Sequence, residues 1–131
     1  MDVADVELWF GEYLAAFAAC ARGDNETDSL VAYYGVPLLI VTDAGYFPLI
    51  SADQVVAGVG PQIDGLRAAG YDHSDVLGLE LTAVNAVSAL LRGTFSWQRA
   101  DDSEISQVTA TYLVTDGPDG RRISVLAVHS A

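Results

Sequence analysis

The 131-residue chain contains no lysine, and its six arginines face eighteen acidic residues, for a net charge of −12. A nucleic-acid binder needs a basic stripe to neutralise phosphates. The contiguous basic pair here is Arg121-Arg122, and Asp116 and Asp119 lie just before it. No nucleic-acid partner is expected, and an anionic membrane surface is disfavoured on the same charge argument. With Cys20 as its one cysteine, the chain can form no internal disulfide. Cys20 falls late in an amphipathic stretch among alanines and reads as a small buried apolar residue rather than a reactive thiol. Cys20, His73 and His129 lack the ligand spacing of a structural zinc site, and no metal or other cofactor is expected. No apolar run approaches the ~20 residues that span a bilayer. The acidic start, Met1-Asp2-Val3-Ala4-Asp5, lacks the basic region of a signal peptide. The expected location is the cytoplasm.

What the chain does have is apolar residues, 51% of the total, in alternating periods. Its length suits one domain over 1–131, able to hide roughly two-thirds of its unfolded surface. Val6, Trp9, Phe10, Tyr13, Leu14, Phe17 and Ala18 recur at helical spacing and predict a wide apolar face, ended by Gly23. Asp28 is expected to cap a second short helix, Ser29 to Tyr34, closed by Gly35. Pro37 to Thr42 and Tyr46 to Ile50 read as strands around an Asp43-Ala44-Gly45 turn, with Pro48 placing the second at an edge. Ser51-Ala52-Asp53-Gln54 is a capping box, with Ile50 and Val55 spaced as a hydrophobic staple, and opens a third helix that stops at Gly70. Gly60-Pro61 is expected to break or kink that helix. From Asp75 onward the period becomes two. Val76 to Val84, Ala86 to Arg99, Glu104 to Thr115 and Arg121 to Ser130 predict an antiparallel meander, joined by polar turns.

This order resembles that of the nuclear transport factor 2-like superfamily over nearly the whole chain. The resemblance is carried by the first helix running into Arg22-Gly23-Asp24, by Tyr33-Tyr34-Gly35-Val36-Pro37, by the Ser51-capped helix ending at Gly70, and by Asp119-Gly120-Arg121-Arg122-Ile123 leading to His129. In many members a tryptophan stands where this chain has Arg121. The resemblance implies an α+β fold in which a curved antiparallel sheet wraps around N-terminal helices, a cone-shaped α+β barrel with an apolar pocket. It also implies an outer sheet face that often packs on a second subunit, so a homodimer is expected.

Strand parity assigns the two faces. Val87, Ala89, Leu91, Gly93, Phe95 and Trp97 share one side of their strand, and Val108, Ala110, Tyr112 and Val114 one side of the next. These sets are expected to face the helices, with Thr94, Ser96 and Thr109 on the opposite side. Trp9, Tyr13, Phe17, Tyr34, Phe95, Trp97 and Tyr112 then fall on inward faces, and His129 is a candidate for the pocket mouth. An aromatic-lined pocket suits a small apolar or aromatic ligand.

Catalytic readings meet a shortage of interior acids. Ketosteroid isomerases of this superfamily use a tyrosine with a neutral aspartic acid and an aspartate base, a case that also serves as a general example of pKa tuning. Tyr13 resembles that tyrosine, but no Asp or Glu occupies an interior-phase position of the late strands. The arginine with two aspartates of the epoxide hydrolases is likewise incomplete, because Arg92 and Arg99 face no interior aspartate. Asp72-His73-Ser74-Asp75 offers a His–Asp pair for acid–base work, though it reads more readily as a polar loop. Three hypotheses follow: a pocket protein without catalysis, a cyclase- or isomerase-like enzyme using Tyr13 with His73 or His129, and a structural dimerisation module with a filled cone. A cavity of ~300 Å3 or more with convergent polar tips favours the first two.

Overall fold

In the computed structural model, which describes residues 1–131, Asp2 opens the first helix. Its carboxylate accepts from the amides of Ala4 and Asp5, satisfying two donors that have no partner within the helix. Helix α1 (Val3–Arg22) buries Val6, Phe10, Tyr13, Phe17 and Cys20, one stripe at spacings of four and three. Gly23 ends it at φ 85°, and Gly70 ends α2 (Ala52–Ala69) at φ 84°, a conformation that costs other residues a steric clash.

The remaining elements are a 3-10 helix (Thr27–Ala32), β1 (Tyr34–Thr42), β2 (Gly45–Leu49), β3 (Tyr71–Asn85), β4 (Ser88–Arg99), β5 (Glu104–Gly117) and β6 (Gly120–Val128). The six strands form one curved sheet in the order β2-β1-β6-β5-β4-β3. Every neighbouring pair is antiparallel except β1 and β6, which run parallel. The ends, β2 and β3, do not pair, so the sheet wraps the helices without closing into a barrel. Buried residues of α1, the 3-10 helix, α2 and the concave face form a single cluster that includes Phe10, Leu30, Ile63, Leu91 and Val114.

Several local expectations need correction. The second short helix begins before Asp28 and stops at Ala32, so Tyr34 belongs to β1 and is 2% exposed in the core. Helix α2 runs unbroken through Gly60-Pro61. Pro61 is exposed, so the carbonyl it leaves unbonded can meet water, while Val55, Val59, Ile63 and Leu66 keep their buried stripe. In the capping box, Ser51 Oγ does accept from the Gln54 amide, but the Gln54 side chain accepts from the amide of Ile50 rather than from that of Ser51. Ile50 is 68% exposed and makes no staple. Asp72 to Asp75 is strand, not loop. β3 starts at Tyr71, and a bulge before His73 lets the segment pair with Gln98, Trp97 and Ser96.

Strand parity within β4 and β5 is as expected from the alternation, but Val87 lies in the turn before β4 and is exposed instead of facing the helices. Phe95 and Tyr112 are 3% and 6% exposed on the helix side. Thr94 and Thr109, directly opposite in register, join hydroxyls on the other face. Ser96 and Gln98 share that outer face yet are buried, because Asp75 and Glu104 cover them with hydrogen bonds.

Gly93 positions Phe95. A Cβ at Gly93 would overlap the tip of the Phe95 ring, which lies across the bare backbone two residues earlier in the strand. Gly93→Ala should displace that ring and destabilise the protein by about 1–3 kcal/mol, as overpacking does. Denaturant unfolding at equilibrium checks it.

Candidate functional site

Curvature of the sheet leaves more room between β3–β6 and α1 than the side chains of α1 fill. The result is a cavity of about 290 Å3, lined by eighteen residues of which fourteen are hydrophobic. That volume stands at the lower edge of the ~300–1,000 Å3 range of small-molecule sites. The helix contributes Tyr13, Leu14, Phe17, Ala18 and Arg22; the sheet contributes Tyr71, Ser74, Val76, Phe95, Trp97, Val108, Ala110 and Tyr112, with Leu126 and Val128 from β6. Phe17 and Trp97 stack across the cavity wall, ring centroids 6.1 Å apart and planes 17° apart. Val76, half exposed, and exposed Ala15 mark the opening to solvent beside edge strand β3.

Of the residues singled out in the sequence, Tyr13, Phe17, Phe95, Trp97 and Tyr112 line this cavity. Three do not. Trp9 packs against Tyr33 with ring centroids 5.7 Å apart. Tyr34 lies behind the wall and reaches the site through its hydroxyl, 2.8 Å from that of Tyr13. His129 is exposed beyond β6, where its Nε2 meets the Thr111 hydroxyl at 2.6 Å on the outer face. It falls there because Thr111 is out of phase with the inward Ala110 and Tyr112.

Polar groups gather at two ends. At the inner end are the hydroxyls of Tyr13, Tyr34 and Tyr112. Burial raises all three phenols above the ordinary tyrosine value, and repulsion between neighbouring phenolates adds to the effect. They therefore stay protonated donors. At the outer end are Arg22, Gln62, Tyr71, His73 and Ser74. The Tyr71 and Ser74 hydroxyls are 2.7 Å apart. Arg22 donates to the Asp24 carboxylate at 3.0 Å and to the Asp72 carbonyl at 3.1 Å. The sequence had pointed to His73, with Ser74 in the same polar segment, but not to Arg22, Gln62 or Tyr71. A signal for the set was present: Leu14, Ala18 and Arg22 repeat every four residues, and Ser74 and Val76 share a strand phase.

His73 borders the cavity with both ring nitrogens engaged. Nδ1 is 2.9 Å from Asp72, and Nε2 is 3.0 Å from both Asp102 and the Gln98 carbonyl oxygen. Only the imidazolium can donate from both nitrogens at once. Its pKa is raised, chiefly by the Asp72 hydrogen bond and further by Gln98 and Asp102, against a smaller opposing effect of desolvation. No Asp or Glu lines the cavity. The wall thus offers neutral phenol and hydroxyl donors and one arginine, but no free base within reach of a buried substrate.

A sequence model described as NTF2-like protein (DUF6841) matches residues 4–131. No curated protein matches the chain. Among solved structures it is similar to a protein of unknown function with a cystatin-like fold from Nostoc punctiforme, at 11% identity over 93% of this chain and 88% of that one, TM-score 0.72. It is also similar to an NTF2-like protein of unknown function from Shewanella oneidensis, at 17% identity over 92% and 96%, TM-score 0.67. A third similar structure is that of a proposed aromatic ring hydroxylase from Novosphingobium aromaticivorans, at 10% identity over 98% and 90%, TM-score 0.66. At these identities the likeness is one of fold.

The His73 clamp has a definite pH dependence. Its folded pKa lies above the ordinary 6.5, so its stabilisation is complete below that value and is lost as pH rises through the folded midpoint. Asp72→Asn should lower the His73 midpoint in an NMR titration of the ring. The stability gap between the two proteins should be open in mild acid and close above the folded midpoint.

Proposed function

This chain belongs to the NTF2-like family DUF6841, and from that footing we propose that it binds a small, flat, apolar or aromatic molecule in the cavity between α1 and strands β3–β6. The observation that carries the reading is the cavity itself: about 290 Å3 of space walled mostly by apolar side chains, with hydroxyls confined to its two ends. Apolar walls supply affinity in proportion to the area they hide from water, and a few placed polar groups supply orientation. The stacked Phe17 and Trp97 rings give a flat ligand a matching surface. A structural module whose cone is filled would leave no such space.

Binding is favoured over acid–base catalysis by the state of the titratable groups. The three inner phenols are held neutral, and His73 is held as an ion pair on its outer side. The likeness to a proposed aromatic ring hydroxylase brings no reaction with it, since the two chains are 10% identical.

Ala110, 2% exposed on the cavity floor, provides the test. Ala110→Phe should fill the cavity from within. Titration of both proteins with tetralin, followed by NMR at the Trp97 indole, should show saturable binding in the wild type that the variant lacks. Wild-type protein that leaves the Trp97 signal unmoved would remove the reading.

A further inference from the structure

Of the three phenols at the inner end, one has nothing in the protein to bond. Tyr13 and Tyr34 satisfy each other across 2.8 Å. Tyr112 is 6% exposed and packed on Tyr13 and Phe10, with ring centroids 6.2 Å and 4.9 Å away in edge-on geometry. Yet no protein group hydrogen-bonds its hydroxyl, that oxygen is not sealed away, and Tyr112 is one of the residues that line the cavity. Native proteins pair nearly all their buried polar groups, so an unpaired one at the wall of a cavity marks a place for an outside partner.

Resting on the binding reading above, we infer that the ligand carries an uncharged hydrogen-bond acceptor, a ketone or similar carbonyl oxygen, at the end that enters first, and that Tyr112 receives it. Tyr13 supplies a second donor. Tyr34 lies behind the wall, so when Tyr34 donates to Tyr13 the Tyr13 proton is free to turn into the cavity. Two neutral O–H donors in a low-dielectric pocket orient a carbonyl well.

The same geometry disfavours a carboxylate at that end. The chain has no lysine and a net charge of −12, which repels anions at long range. The one arginine of the wall is Arg22, nine residues beyond Tyr13 on α1 and so roughly 13 Å away along the helix. Its guanidinium is already engaged by Asp24 and the Asp72 carbonyl. A carboxylate placed against the inner phenols would lose its hydration with no cation in reach.

Three probes of one size test this: tetralin, 1-tetralone and 1-naphthoate, titrated by NMR against the wild-type protein and Tyr112→Phe. In the wild type, 1-tetralone should bind several-fold to about tenfold more tightly than tetralin, the range a net hydrogen bond supports, and 1-naphthoate most weakly. In Tyr112→Phe the ketone-to-hydrocarbon ratio should fall to about one while tetralin affinity holds. Because Tyr112 gives up no protein hydrogen bond, the variant should melt no lower than the wild type. Equal binding of ketone and hydrocarbon by the wild type overturns the inference and leaves the cavity reading standing. So does an unchanged ratio in the variant, a melting temperature lowered by several degrees, or tightest binding of 1-naphthoate. If none of the probes binds the wild-type protein, the cavity reading falls and takes this inference with it.

Discussion

The aromatic contact between α1 and the concave sheet determines everything else. Phe10 and Tyr13 press on Tyr112 from the helix, and Phe17 stacks on Trp97 one turn further along. These rings fasten the helix to the sheet, and four of them also line the cavity. Among and just beyond them the helix places the small residues Ala15 and Ala18 at the wall, and the gap between helix and sheet there is left open. Gly93 sharpens the contrast, because its missing side chain lets the Phe95 ring lie down along the strand. The cavity is therefore the consequence of small residues set among large ones along one helix, against a sheet whose curvature does not follow it.

Position along the helix also sorts the chemistry. At the inner end of the cavity the hydroxyls are buried, neutral and unable to give up protons at ordinary pH. At the outer end water reaches Arg22 and His73, and charges pair with charges. His73 joins Asp72 of β3 to Asp102 of the β4–β5 turn, so the outer rim is held by a pair that weakens as pH rises. The interior offers donors without charge, and the rim offers charge without access to the interior. A small neutral guest fits that division better than a substrate that must lose a proton inside.

Much of this was legible in the sequence. The helix stops at Gly23 and Gly70 follow from local chemistry, and the inward phase of Phe95 and Tyr112 follows from alternation. Both depend on neighbours a few residues away. The misreadings depend on distant ones. Asp72 to Asp75 looked like a loop because its residues are polar, but their partners are Gln98 and Asp102, more than twenty residues on. Pro61 suggested a broken helix, and whether the freed carbonyl matters depends on its facing water, which the sequence does not state. His129 was placed at the pocket mouth from its position near the end of the last strand, and Tyr34 in the pocket from its aromatic character. The first lies beyond the last strand pairing with β5, and the second is one layer behind the wall. The open hydroxyl of Tyr112 could not be read at all, because a missing partner is a property of the assembled core.

A high-resolution crystal structure of the protein as purified bears most directly on an open cavity with a waiting phenol. The space bounded by Tyr13, Phe17, Trp97 and Tyr112 should contain density, either an ordered water or a small molecule carried through purification, within hydrogen-bond distance of the Tyr112 hydroxyl. A Trp97 ring swung inward to fill the space, with the Tyr112 hydroxyl bonded to a protein group, would contradict it.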